Sequence, residues 1–446
     1  MLSSKPTSAA VLCTYALLAL ISFKGNAQFI YANTIQGVNV VNGAPATFGT
    51  GVSICDFDGD GLDDISFGTK STPPFLFRNT GAGFEQIPFL HPSPDKAIKS
   101  IIWVDIDNDG DRDLFLSYEF ESVRLYENVG NLELVDITPQ SGLLMEVNIR
   151  NAGASFGDYN NDGYLDLYLC KYYNSGAFQG PTFENILYRN NGDNTFSNVT
   201  YEANASVGVN ASFNPVWWDY DQDRWIDLYI VNDRIFNQNY LLRNLGNGSF
   251  EDVSVQTGVN HFIDAMGCAL GDYNNDLLID FYVANSEFVG NYLYQHQPDH
   301  TFLEVGKQAG VRTHRLCWSG LWMDYDNDGW LDLHVGAEIN QIGQMAPNQF
   351  YRNLGDGTFQ NATQSAGLSF DHFSTFATAG GDWNNDGYTD FVCSNGPPSA
   401  SILWQNVGGN ENFRAVTLKG TLSNRDAVGA TLYAYSGDLQ QVRYVT

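Results

Sequence analysis

Asp324-Tyr325-Asp326-Asn327-Asp328-Gly329-Trp330-Leu331-Asp332, followed at once by Leu333-His334-Val335, is the stretch on which the fold turns. Oxygen-bearing side chains stand at positions one, three, five and nine, and the glycine at position six permits the sharp turn that brings them round one centre. An EF-hand loop begins the same way, but it needs a glutamate at position twelve and a helix on each side. Here the last acid comes at nine and an apolar run of strand character starts immediately, so the EF-hand is excluded.

The pattern occurs seven times. The other copies are Asp56/Asp58/Asp60/Gly61/Asp64, Asp105/Asp107/Asp109/Gly110/Asp113, Asp158/Asn160/Asp162/Gly163/Asp166, Asp219/Asp221/Asp223/Arg224/Asp227, Asp272/Asn274/Asp276/Leu277/Asp280 and Asp382/Asn384/Asp386/Gly387/Asp390. Successive starts lie 49, 53, 61, 53, 52 and 58 residues apart. A period near fifty marks repeats rather than separate domains. Within each period a short apolar run precedes the loop and another follows it. A third run ends in Asn, as in Phe75-Leu76-Phe77-Arg78-Asn79 or Tyr240-Leu241-Leu242-Arg243-Asn244. A Gly-bearing turn and a fourth run opening with Phe250, Phe302 or Phe359 complete the unit. Four short strands with turn signals between them make one antiparallel sheet. The expected fold is all-β: a seven-bladed β-propeller of four-stranded antiparallel blades, with a calcium-binding hairpin loop in each blade.

A propeller must close. The spacing from Phe250 to Val259, Phe302 to Val311 and Phe359 to Leu368 recurs at Phe29 to Val38, ahead of any Asp loop. This orphan reads as a fourth strand that joins the last blade and locks the ring, with Phe413–Thr417 as the competing candidate.

The donor set of carboxylates, amides and a main-chain carbonyl at position seven suits a hard cation. Calcium takes six to eight oxygens in flexible geometry, whereas magnesium keeps more water. Up to seven Ca2+ ions are expected, bound most weakly at the loops starting Asp219 and Asp272, where Arg224 and Leu277 replace glycine. About half of the 51 acidic residues lie in these loops, close enough to repel one another without a cation.

The net charge of −29 argues against nucleic acid and anionic membrane surfaces, which call for Lys and Arg. Residues 1–27 have the three-part form of a secretory signal peptide: Lys5, an apolar stretch from Ala9 to Phe23, and Gly25-Asn26-Ala27 before Gln28. No other segment is apolar enough to span a bilayer. The remaining cysteines, Cys55, Cys170, Cys268, Cys317 and Cys393, are odd in number and sit mostly in apolar runs, so they read as core thiols.

These loops and their strands resemble the FG-GAP/VCBS repeats of integrin α-chain propellers and their bacterial relatives, over residues 28–412. From Phe413 through Asn424-Arg425-Asp426-Ala427-Val428-Gly429-Ala430, the C-terminal region (413–446) resembles the start of an ASPIC/UnbV domain, which in that family runs further than this chain does. The pairing is similar to the cartilage acidic protein group. The resemblance implies an extracellular calcium-binding protein.

His-Glu-x-x-His, Gly-x-Ser-x-Gly and phosphate-cradling loops are absent, and nearly every carboxylate pair is already assigned to a calcium loop. His296 and His300 read as flanking a solvated turn. If the calcium hairpins join strands one and two, the opposite face gathers Arg150, His261, His314, Arg315 and His372. It also gathers Lys171, Asn232, Asn285, Glu338 and Asn395, with Tyr172, Tyr173 and Phe178. Polar groups among aromatics there fit a protein or glycan ligand. Trp103, Trp217 and Trp322 read instead as packing between blades. The expected role is a secreted, non-catalytic binding, adhesion or scaffolding module with structural calcium. The alternative is a polysaccharide-active enzyme, lyase or hydrolase, working on the face opposite the metals.

Overall fold

The computed structural model describes residues 29–41, 46–92, 94–145, 147–173, 183–338, 348–368, 373–409, 411–437 and 439–445. The proposed signal peptide, Phe178 and His372 lie outside them. Seven four-stranded antiparallel sheets follow one another along the chain as blades 1 to 7. Blade 1 is typical: Val52–Cys55, the Asp56 loop, Asp64–Phe67, Phe75–Asn79 and Phe84–Ile87. Blades 2 to 6 span 98–136, 151–198, 212–252, 267–304 and 317–361, each in sequential strand order.

Blade 7 has only three strands from its own stretch, Thr375–Gly381, Asp390–Asn395 and Ile402–Asn406. Its fourth is the N-terminal Phe29–Tyr31, with Phe29 opposite Asn406 and Tyr31 opposite Trp404. The register matches the other blades, where Phe250 faces Asn244 and Phe359 faces Asn353. The orphan signature therefore closes the ring, and Phe413–Thr417 does not. The spacing that revealed it also has a local cause absent from the sequence reading. After the fourth strand comes a single helical turn, as at Asn33–Gln36, ended by a left-handed glycine, Gly37 at φ 76°.

The core is not one cluster but seven, each wedged between neighbouring blades. Phe57 of blade 1 stacks on Trp103 of blade 2 with ring centroids 4.5 Å apart. Tyr273 of blade 5 stacks on Trp322 of blade 6, and Trp217 packs between blades 3 and 4. Each blade thus buries an apolar layer against both neighbours, which makes a closed ring more favourable than an open stack. Cys170, Cys317 and Cys393 are buried and Cys55 and Cys268 half-buried, all as free thiols. Burial pushes Cys55 and Cys317 up to about 12, so they are inert core groups.

The first strands of successive blades neighbour one another round the ring, blade 7 against blade 1 included, and so line a central shaft. They run toward the Asp loops, so all seven loops rim one end of the shaft. Residues Thr431–Ser436 and Leu439–Tyr444 form a separate hairpin that lies across that same end. Val442 is buried in the wedge between blades 4 and 5, and Gln441 donates to the Gly329 carbonyl at 2.7 Å. Arg425 and Asp426 dock on the Asp105 loop.

Candidate metal centres

Each loop is a hairpin between the first and second strands, and its backbone is held by its own acids. In the Asp324 loop, the position-one carboxylate accepts the N–H groups of Asp328 at 3.0 Å and Gly329 at 2.9 Å. The position-nine carboxylate of Asp332 accepts Tyr325 N–H at 3.1 Å and Asn353 N–H at 2.8 Å. The same arrangement holds Asp64, Asp113, Asp166 and Asp227. Position-nine acids are thus buried at the junction of loop, second strand and third strand.

Four loops bring three carboxylates together, with one oxygen from each lying within 4.8 Å of the others: Asp56/Asp58/Asp64, Asp105/Asp107/Asp113, Asp219/Asp221/Asp227 and Asp324/Asp326/Asp332. These are the loops with Asp at position three. In the other three, the position-three amide donates to the acid at position five: Asn160 to Asp162, Asn274 to Asp276 and Asn384 to Asp386, at 2.8 to 2.9 Å. The Asp219 triad forms despite Arg224 at position six, which adopts φ 76° as the glycines do.

The position-five acids do not meet the same 4.8 Å spacing. Asp60, Asp109, Asp223 and Asp328 stand outside the four triads, which are made by positions one, three and nine alone. The reason is a local turn: one oxygen of each carboxylate accepts the N–H two residues further on. Asp60 takes Leu62 N–H at 2.9 Å, Asp109 takes Asp111 N–H at 2.8 Å, Asp223 takes Trp225 N–H at 2.9 Å and Asp328 takes Trp330 N–H at 3.1 Å. Asp162, Asp276 and Asp386 make the same bond to Tyr164, Leu278 and Tyr388. Position five thus helps to shape the loop with one oxygen, as positions one and nine do with both.

The triads fit a cation. Asp105 Oδ1, Asp221 Oδ1 and Asp326 Oδ1, in three of the triads, are buried oxygens without a hydrogen-bond donor, as is Asp390 Oδ2 in the Asp382 loop. A buried acceptor left this way is costly unless something positive meets it. Burial pushes Asp64 up to about 7 and Asp113 and Asp390 up to about 8, and it raises Asp166, Asp227, Asp280 and Asp332 well above the carboxylate range. At position one, burial lifts Asp158, Asp219 and Asp272 to about 6. All-oxygen donors of this kind and spacing are those of calcium.

Two further features of these centres went unread in the sequence. The first is an arginine from the third strand. Arg243 reaches Asp221 at 2.7 Å and Asp223 at 3.6 Å, and Arg352 reaches Asp326 at 2.9 Å and Asp328 at 2.8 Å. These guanidinium groups occupy carboxylates that a calcium ion would use. Replacing Arg352 with methionine should therefore lower the calcium concentration that gives half of the calcium-induced melting shift, by about two- to fivefold, as expected for one partly exposed ion pair. A calorimetric calcium titration checks it. The second is the asparagine that ends the third strand in six of the seven blades and whose side chain, in five of them, ties blades together. Asn244 Nδ2 donates to Ile226 O of its own loop at 3.0 Å and to Tyr159 O of the preceding blade at 2.7 Å. Asn79, Asn190, Asn353 and Asn406 likewise reach a carbonyl in a preceding blade. The recurring Arg-Asn dipeptide was the available signal.

In blade 5 that asparagine is replaced by His296. The expected turn is there, with Pro298 and Asp299 exposed, but His296 itself is 2% exposed and stacks on Phe302 at 4.6 Å. Burial pushes it down to about 4, so the ring is neutral. At the opposite face the expected cluster divides. Asn232, Asn285 and Asn395 are buried and hydrogen-bond their own hairpins. Arg150 and Tyr172 do reach the shaft mouth.

Comparison with known proteins agrees with this architecture. The model of the FG-GAP-like repeat matches residues 56–116, 105–169, 219–283 and 272–335, together more than half of the chain, each match starting on a position-one aspartate. The chain belongs to the FG-GAP-like repeat family. This FG-GAP propeller is 31% identical over 163 residues to cartilage acidic protein 1 of Xenopus tropicalis, a match covering 34% of this chain and 24% of that one. Against the mouse protein the identity is 30% over 161 residues, covering 33% and 24%. The chain thus spans about a quarter of the length of the curated relatives it matches. A chain of the solved BBS1N–ARL6DN complex, soaked with lead, shares the fold with a TM-score of 0.54 at 10% identity, covering 88% of this chain and 100% of that chain. Among the described residues no helix is long and apolar enough to cross a membrane.

Proposed function

We propose that this FG-GAP propeller is a secreted, calcium-stabilised and non-catalytic binding module, and that it presents the face opposite its calcium loops to an extracellular protein or glycan. The observation that carries this reading is the set of Asp triads rimming one end of the shaft, with buried oxygens that lack a donor. All seven loops, those at Asp158, Asp272 and Asp382 included, are proposed to hold Ca2+, with the second oxygen of the position-five acid, as at Asp60, Asp109 and Asp223, completing the set. Occupied loops hold each hairpin against its third strand, so calcium acts on the ring as a whole. The C-terminal segment covers the metal end, which leaves the other end for a partner. Residues 1–27 as a signal peptide and 413–446 as the opening of an ASPIC/UnbV domain belong to the same proposal, and the likeness to cartilage acidic protein 1 supports its extracellular part.

A polysaccharide-active enzyme is the second reading, and one observation favours it. Glu119 lies at the opposite shaft mouth beside Lys99 and Arg150, and burial lowers Lys99 to about 8. Against it, both Glu119 oxygens are engaged by cations, Arg150 at 2.9 Å and Lys99 at 3.8 Å, instead of facing a substrate. Unsaturated product released from polyuronates would establish catalysis.

Thermal unfolding with 2 mM calcium and with chelator, alongside a count of bound ions, tests the main reading. With extracellular-type affinities of ~10⁻⁴–10⁻³ M at each loop, five to seven ions should raise the melting temperature by about 10 °C or more. No bound ions and no shift would reduce the loops to ordinary turns.

A further inference from the structure

The seven Asp loops are joined to one another at the rim by hydrogen bonds made from a single loop position. Position four carries an amide in six loops: Asn108, Asn161, Gln222, Asn275, Asn327 and Asn385. Each amide donates to the main-chain carbonyl at position six of the next loop along the ring. Asn108 reaches Gly163 O at 2.8 Å and Asn327 reaches Gly387 O at 2.9 Å. Asn385 of blade 7 reaches Gly61 O of blade 1 at 3.2 Å, across the closure of the propeller. The one break lies between blades 1 and 2, because position four of the first loop is Gly59. There Arg112 of blade 2 donates instead to Asp56 O and pairs with Asp426 of the C-terminal segment at 3.1 Å.

Backbone conformation alone does not account for these amides. All seven position-four residues are left-handed, at φ 53° to 76°, and asparagine tolerates that region well. Yet Gln222, which has no such advantage, keeps an amide there and makes the same bond at 3.4 Å. Gly59, which suits the conformation best, has no side chain to make one. The bond is also placed where one loop can act on the next. Position four stands between positions three and five, two proposed ligand positions. The carbonyl it holds belongs to the residue whose own N–H is bonded to the position-one carboxylate of the second loop. That bond measures 2.8 to 3.0 Å in all seven loops. Two hydrogen bonds through one residue therefore join the proposed ligands of neighbouring loops.

We infer that the Asp loops bind calcium as a coupled ring, in which an occupied loop prepares its neighbour through the position-four amide. This rests on the calcium reading above and says where coupling passes: every junction except the one at Gly59. An ion bound by positions three and five fixes the amide between them, and the fixed amide holds position six of the next loop. That loop then has less freedom left to lose when its own ion binds, which is positive coupling. Charge acts the other way, because an ion in one loop cancels part of the negative field that draws an ion to the next. Exchanging an asparagine for glycine alters no charge, so it removes the first effect and leaves the second.

The test titrates calcium into the full chain and its variants and follows each loop by hydrogen exchange with mass spectrometry. In Asn327→Gly, the calcium midpoint for protection of residues 382–390 should rise about three- to tenfold, the range set by one hydrogen bond. Residues 105–113 and 158–166, away from blades 6 and 7, should keep the wild-type midpoint. Asn385→Gly should move the effect one blade on, to residues 56–64, and leave 105–113 unchanged beyond the break at Gly59. Glycine also loosens the loop that carries it. A shift confined to 324–332 in the first variant and to 382–390 in the second is therefore the purely local result, and it would overturn the inference. Equal shifts in every loop would overturn it too, as a general loss of stability. If calcium protects no loop of the wild type, the calcium reading itself fails and this inference with it. Protection in the wild type with no neighbour shift in either variant removes the coupling alone.

Discussion

Asp332→Ala should cost about 3–5 kcal/mol of stability even in chelator, whereas Asp328→Ala should cost stability only when calcium is present. The two residues belong to one loop but do different work. Asp332 is 1% exposed and accepts the N–H groups of Tyr325 and Asn353. Alanine leaves two buried donors without an acceptor, each at about 1–3 kcal/mol. It also removes a proposed ligand, so the calcium-induced rise in melting temperature should shrink in addition. Asp328 accepts only the Trp330 N–H from within the loop, and its other contact is the partly exposed Arg352. Without calcium its removal relieves repulsion from Asp324 and Asp326, so the chelated variant should be as stable as wild type or slightly more so. Calorimetry in both media separates the cases. Equal losses for both variants in calcium and none in chelator would show that position nine is a ligand and nothing more.

The distinction explains what could be read in the sequence. Seven Asp loops in one phase and the Phe-to-Gly-Val spacing are local signals, and they carried the blade number, the strand order and the closing strand at Phe29. What went unread depends on neighbours in space. The position-nine acid reads as one ligand among four, yet its two hydrogen bonds reach across the loop and to a third strand fifteen to twenty-four residues away. Position five reads as its equal, yet Asp60, Asp109 and Asp223 each spend an oxygen on their own turn, because the backbone N–H two residues on points at them. His296 sits in a Gln-Pro-Asp context that signals a turn, but its ring points into the wedge between blades 4 and 5. Arg150 and Tyr172 were assigned to the right face because the loop positions fix which end of each strand they occupy. Phe48, at the same mouth beside Tyr172 and Arg150, carried no signal, because the connection from Val38 to Val52 is longer than its counterparts, such as Val259 to Gly267, and Phe48 lies in the extra length. The course of the C-terminal segment over the metal end was equally silent, being set by contacts such as Arg425 with Asn108 and Asp426 with Arg112.

The asparagine tie between blades should be the most sensitive position outside the loops. Asn244→Ala is expected to lower stability by about 3–4 kcal/mol, with or without calcium. The side chain is fully buried and makes three bonds: its amide donates to Ile226 O and Tyr159 O, and its carbonyl accepts Gly246 N–H at 3.0 Å. Alanine abandons all three partners, each at roughly 1 kcal/mol or more when no water replaces the lost group. Asn244→Asp should be worse, because it sets a carboxylate against two carbonyl oxygens and lies next to Asp227, already bonded to the Asn244 N–H. The bond to Tyr159 joins blade 4 to blade 3, so the loss should weaken the ring rather than one hairpin. Hydrogen exchange should then show faster opening in blades 3 and 4 together. Faster exchange confined to blade 4 would mean that the bond to Ile226 matters and the tie to Tyr159 does not. Blade 5 shows how the ring copes without an asparagine here. The His296 ring faces the Ile279 carbonyl of its own loop without hydrogen-bond geometry, and it fills the wedge by stacking on Phe302 instead. His296→Ala should therefore cost stability through lost packing, about 2–3 kcal/mol, and speed exchange in blades 4 and 5, between which the ring is wedged.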